Sequence, residues 1–136
     1  MRALKDHIVE GDLPQNQLTI EVTDAPGSGG ANHRYEITGF DTGNNPSSID
    51  KDGYHAGFSR MLVIFQNGPI KEAGVNGITQ EALLTIVIDR LRSFQAGPFP
   101  SDENSIALIH CGVALDALKS RTQKRLARGV EGKTQA

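Results

Sequence analysis

Two apolar-periodic segments with only a short break between them constrain this chain more than any other feature. Leu83, Leu84, Val87, Ile88, Leu91 and Phe94 recur at helical spacing and make one broad stripe. Ile106, Ala107, Leu108, Cys111, Ala114, Leu115 and Leu118 make a matching one. Thr79 suits the N-cap of the first helix, with Glu81 in the first turn, where negative charge complements the helix dipole. Ala96-Gly97-Pro98 stops that helix. Ser101 caps the next, and Lys119, Arg121, Lys124, Arg125 and Arg128 fill its last turns before Gly129, the expected C′ residue. A connection as short as Gly97–Ser101 forces the helices antiparallel. The spacing therefore predicts a helical hairpin over about residues 79–128, its second helix overhanging the first by roughly 15 Å. The overhang is the basic segment. It must lie on a sheet, on another subunit, or in water.

The front of the chain reads differently. Leu18 to Thr23 alternates apolar and polar residues, as a half-buried strand does, and Tyr35 to Phe40 alternates again as its hairpin partner. Between them, Asp24-Ala25-Pro26-Gly27-Ser28-Gly29-Gly30 favours turns. Ser59 to Phe65 reads as a third strand whose continuous apolar run predicts burial on both faces. Residues 1–17 read as either a short helix or an extended arm, and Asp41 to His55 as a polar loop without an assigned role. The expected fold class is α+β: a small antiparallel sheet at about 18–66, then the two-helix hairpin. At 136 residues the prior is a single domain, 1–136.

Charge narrows the function classes. The net charge is −2, which argues against coating a nucleic-acid polymer by bulk electrostatics. The balance is uneven: residues 1–56 carry nine acids against four Lys/Arg, and 57–136 carry seven against ten. No apolar stretch approaches a membrane span, no signal-peptide pattern is visible, and the single cysteine has no internal partner, so the expectation is cytoplasm.

Motifs for chemistry are sparse. Gly27 to Asn32 could gather backbone N–H groups around a phosphate, but no Gly-Lys-Ser/Thr follows, and a hairpin loop is the commoner use of such residues. His7, His33, His55 and His110 are scattered without metal-ligand spacing. His110 and Cys111, adjacent on a helix, point about 100° apart and cannot pair as base and nucleophile. No catalytic residue, metal site or cofactor is expected. Arg121, Arg125 and Arg128 fall at i, i+4 and i+7, on one helix face beside apolar positions. Such guanidiniums suit phosphate recognition, and equally a solvated helix end. Phe94 and Asn104 bracket the interhelix turn. The ring is a core residue or a stacking platform, and the amide either braces the turn or reads a base edge.

A resemblance adds to this. Phe65-Gln66-Asn67-Gly68-Pro69-Ile70, Gly74-Val75-Asn76-Gly77-Ile78-Thr79-Gln80-Glu81-Ala82-Leu83-Leu84, Arg90-Leu91, Phe94-Gln95-Ala96-Gly97-Pro98-Phe99, Glu103-Asn104, Ala107-Leu108 and Arg121-Thr122 on to Arg128-Gly129-Val130-Glu131-Gly132 carry it. The chain resembles the phage Thoeris anti-defence proteins of the first type, whose helical hairpin is shared with an anti-CBASS sponge. The likeness covers roughly residues 59–132 well and the strands before them more loosely. It implies a non-enzymatic sponge that sequesters cyclic ADP-ribose isomers in the host bacterial cytoplasm, with a further site for cyclic trinucleotides in some members. It also implies a homo-oligomer, a dimer that can assemble into a hexamer. Under it, Phe94 stacks on adenine, Asn104 bonds the ligand, and Arg121 and Arg125, with Arg128 beside them, face phosphates. Asp102 departs from the family, which often has a basic residue before Glu-Asn, and this bears on ligand choice. Asn104 and Arg121 lie roughly 25 Å apart along one helix, so they serve different pockets or meet across subunits. The rival readings are a small oligomeric structural or interaction protein of a phage, and a nucleic-acid-binding module.

Overall fold

The computed structural model describes residues 1–53 and 57–129. Tyr54, His55 and the closing Val130-Glu131-Gly132 lie outside the described residues. The fold is α+β, and the chain divides into two compact units, Met1–Ile64 and Phe65–Ala136.

The first unit is a four-stranded antiparallel sheet of β1 (Arg2–Leu4), β2 (Thr19–Val22), β3 (Arg34–Thr38) and β4 (Arg60–Ile64), neighbours in chain order. Ile20 lies opposite Ile37 and Ile37 opposite Met61, while Val22 lies opposite Tyr35 and Tyr35 opposite Val63. With side chains alternating across the sheet, these residues share one face, and Val22, at 2% exposure, is its most buried member. Glu21, Arg34, Glu36 and Arg60 share the other, where Arg60 Nε sits 2.7 Å from Glu36 Oε1. The arm at 1–17 is extended rather than helical at its start: β1 pairs with β2, and His7 Nε2 donates to the Leu18 carbonyl at 2.6 Å.

β4 corrects one expectation. Its apolar run is not buried on both faces: β4 is one of the two edge strands, with Met61 55%, Leu62 42% and Ile64 47% exposed. An unbroken apolar run fixes neither the strand's place in the sheet nor what covers it, and here β4 has a sheet partner on one side only.

The glycine-rich segment between β2 and β3 is a closed turn rather than a phosphate cradle. Gly27 N–H donates to Ala31 O and Gly30 N–H to Gly27 O, so two of its amides are already used. Asp24 anchors it. Its carboxylate accepts the His33 N–H with both oxygens, at 3.0 and 3.2 Å. Burial works to raise the Asp24 pKa, but the N–H bonds from His33 and Arg34, the Asn32 side chain and the charge of His33 outweigh it and hold the carboxyl below its usual 3.8. A carboxylate depressed in the folded state adds stability above its unfolded pKa and loses it as pH falls through the folded value. Asp24→Asn is therefore expected to be less stable than the wild type in urea at pH 6, with the gap closing on acidification well below about pH 4. A gap of constant size across that range would remove the charge from the account.

In the second unit, α1 (Ile70–Ala73) is a single turn inside the loop that leads to α2 (Gln80–Ala96) and α3 (Asp102–Ala127). That loop is closed by side chains acting as backbone. Gln66 accepts the Asn76 N–H and donates to Gly74 O, and Asn76 exchanges two bonds with Asn67, at 2.9 and 2.7 Å. Phe65 and Ile78 add a parallel bridge. Thr79 Oγ1 caps α2 by accepting from Ala82 N at 3.1 Å, and Ser101 Oγ caps α3 from Asn104 N at 3.0 Å. Gly97, extended before Pro98, ends α2, and Gly129 with φ 71° follows α3.

α2 and α3 pack together. Leu84, Ile88 and Leu91 face the seam from α2, and Ile88 is only 4% exposed. From α3, half-buried Asn104, Leu108, Cys111, Leu115 and Leu118 alternate at spacings of four and three, the pattern of a coiled-coil seam. At 26 residues against 17, α3 outruns α2 by about 14 Å of axis.

Candidate functional site

Two places on the hairpin collect the residues singled out from the sequence. The first is the interhelix turn. Gln95 fixes it: its Nε2 donates to Ser101 O at 3.1 Å and its Oε1 accepts Ser101 N–H at 3.0 Å, closing a two-bond ring across the connection. Sequence reasoning offered Asn104 as a brace for the turn, and it missed Gln95. The two-bond clamp belongs to Gln95, whose reach to Ser101 has no sequence signature.

On this rigid turn, Phe94 stands 49% exposed in the last turn of α2, so its ring is not spent on the hairpin core. One face is not open. The Arg90 guanidinium lies over the ring, 5.4 Å from its centroid, a contact that the i to i+4 spacing makes legible afterwards. Asn104 sits half-buried in the first turn of α3, and Phe99 at the tip of the connection is 84% exposed.

The second place is the overhang of α3. Arg121, Arg125 and Arg128 line one concavity of about 770 Å³, joined by Lys124 and Ser120, with Ala117 and Ala127 as apolar wall. The cofacial arrangement expected from spacing holds, while Lys124 and Ser120 were missed as members of the lining. Both fall on the same helical face as Arg121 and Arg128, at steps of three and four residues, so counting turns would have found them. Arg125 is buried, 9% exposed.

Phe94 and Asn104 stand at the turn end of the hairpin, and the arginines at the far end of α3. One helix thus separates two chemically distinct places, an aromatic–amide one and a cationic one. Among the described residues no cluster of His, Cys, Asp and Glu could hold a metal ion, and no helix is long and apolar enough to cross a membrane.

Comparison with known proteins places this hairpin. Residues 60–121 match the family model of the Acb2/Tad1 hairpin domain, which takes in β4, α1, α2 and most of α3. Lys124, Arg125 and Arg128 lie beyond the match. Over 70 residues the chain is 46% identical to a protein named Thoeris anti-defense 1 from Bacillus phage SBSphiJ7, a stretch covering 52% of this chain and 49% of that protein. The chain thus spans about half the length of the curated relative it matches. The caps, the clamped turn and the packed helices all lie inside or beside the matched segment, so it is the hairpin of this chain, residues 60–121, that is similar to the Acb2/Tad1 hairpin domain.

Proposed function

We propose that this protein is a phage anti-defence sponge that binds cyclic ADP-ribose isomers in the host bacterial cytoplasm and holds them without degrading them. The observation that carries the reading is Phe94, a half-exposed ring on a turn locked by Gln95, within a hairpin similar to the Acb2/Tad1 hairpin domain. A ring so placed offers a face to adenine, and the Asn104 carboxamide at the start of α3 can donate to and accept from a ligand at once. The relative named Thoeris anti-defense 1 supports the biological setting. A sponge needs retention rather than turnover, so its design lies in slow dissociation.

A second ligand class is favoured by a specific feature. The concavity on α3 presents three exposed cations, Arg121, Lys124 and Arg128, to one volume, which suits a cyclic trinucleotide with its ring of phosphates. The protein also acts as a homo-oligomer in this reading, a dimer that can build to a hexamer. Ile106, Ile109 and Val113 support that: they follow one another at helical spacing on α3, opposite its seam with α2, and are 56–62% exposed.

Thermal denaturation with added ligand tests the proposal. Ligand that binds only the folded state raises Tm with the logarithm of its concentration. A cyclic ADP-ribose isomer is expected to raise Tm progressively above its Kd, whereas linear DNA and RNA oligomers do not. A melting curve indifferent to every isomer in the panel contradicts the reading and favours a purely structural role.

A further inference from the structure

We infer that Arg90 is a positioning residue for the Phe94 ring: its guanidinium closes one face, leaving a single face on which a purine can stack. The inference rests on the reading of Phe94 as a stacking platform and adds a residue to that site. Phe94 is 49% exposed, so core packing does not immobilise its ring; what lies on its faces does. Arg90 stands one turn earlier on α2 with its guanidinium carbon 5.4 Å from the ring centroid. The contact draws on two properties. The ring quadrupole attracts the cation, and the planar guanidinium can lie against an aromatic plane where an ammonium is only a point charge.

A ring held this way is ordered before ligand arrives, so binding does not bear the entropy of fixing it. The covered face also removes one of two stacking modes, which selects the side of α2 from which the base enters. An ordinary surface pair at i and i+4 would add a little helix stability and nothing else. The two roles separate in ligand affinity, and in what lysine can restore.

The test measures affinity of the full chain for ribose-linked cyclic ADP-ribose isomers by titration calorimetry, for the wild type, Arg90→Ala and Arg90→Lys, alone and combined with Phe94→Leu. Alanine is a strong helix former at an exposed position, so these variants are expected to fold. Arg90→Ala is expected to weaken binding about fivefold to tenfold, with Arg90→Lys recovering little of it. In the Phe94→Leu background the same changes are expected to shift affinity less than about twofold, because the ring they act through is gone. In ligand-free protein the Arg90 Nε–H proton resonance is expected upfield through the ring current, returning to its ordinary position in Phe94→Leu.

Arg90→Ala binding within about twofold of the wild type overturns the inference. So does full rescue by lysine, which would mean a direct charge contact with ligand. An effect undiminished by Phe94→Leu has the same consequence. A wild-type protein that binds no isomer brings down the functional reading and this inference with it, whereas a binding wild type with an indifferent Arg90→Ala brings down this inference alone.

Discussion

Gly77→Ala is expected to be the most damaging single substitution in the hairpin unit. A Cβ built on Gly77 would stand 2.4 Å from the Phe65 carbonyl carbon, 2.5 Å from Gln66 N and 2.6 Å from Phe65 O. All three are backbone atoms, so no rotamer change relieves the clash. The chain must separate at the point where Phe65 bridges Ile78 and Gln66 N–H donates to Ile78 O at 2.9 Å. Beside it, Asn76 would be pulled from its bonds with Gln66 and Asn67. Forcing atoms into so tight a space and losing those bonds costs at least about 3 kcal/mol. For a unit of this size that lowers Tm by roughly 15 °C. Gly112→Ala is the control, since its Cβ meets nothing within 4 Å, and a helix-interior alanine is expected to hold or raise Tm. Calorimetric scans of both variants decide the matter: equal melting temperatures would show that the loop yields and that the close approach at Gly77 carries no weight.

The largest expected effect on binding comes from Phe94→Ala. Base stacking on an aromatic side chain is worth about 1–3 kcal/mol by alanine substitution, so affinity for a cyclic ADP-ribose isomer should fall from tenfold to beyond a hundredfold. Stability should hardly move. The ring is half-exposed, and the turn it stands on is fixed by Gln95 and Ser101 instead. The subunit count, read by light scattering, should likewise stay as in the wild type. Binding that survives the loss of the ring removes stacking from the account. Lost binding together with a lost oligomer or a collapsed Tm assigns Phe94 to structure.

The hairpin was legible in the sequence because several local signals agree on it. Thr79 and Ser101 are good caps, Pro98 cannot continue a helix, and the apolar positions repeat at helical spacing. The sheet was legible where alternation is clean, in β2 and β3. β1 was not, because three residues, Arg2-Ala3-Leu4, carry no period and become a strand only by pairing with Thr19–Val22. β4 was found as a strand but misplaced in depth, since Met61 to Ile64 would look the same in the centre of a sheet. In the candidate site, the shared face of Arg121, Arg125 and Arg128 follows from helix arithmetic alone. Arg90 over Phe94 obeys the same arithmetic, but which rotamer brings the two together is decided in three dimensions. Gln95 depends on where the connection folds back, and nothing local announces that.

Capture and release separates sequestration from cleavage. The purified chain is mixed with cyclic ADP-ribose isomers, stripped of free ligand and heat-denatured, and the released small molecules are resolved by chromatography. One or more isomers are expected to return intact, in proportion to the protein. Recovery of only a cleaved product, or of nothing at all, would contradict sequestration.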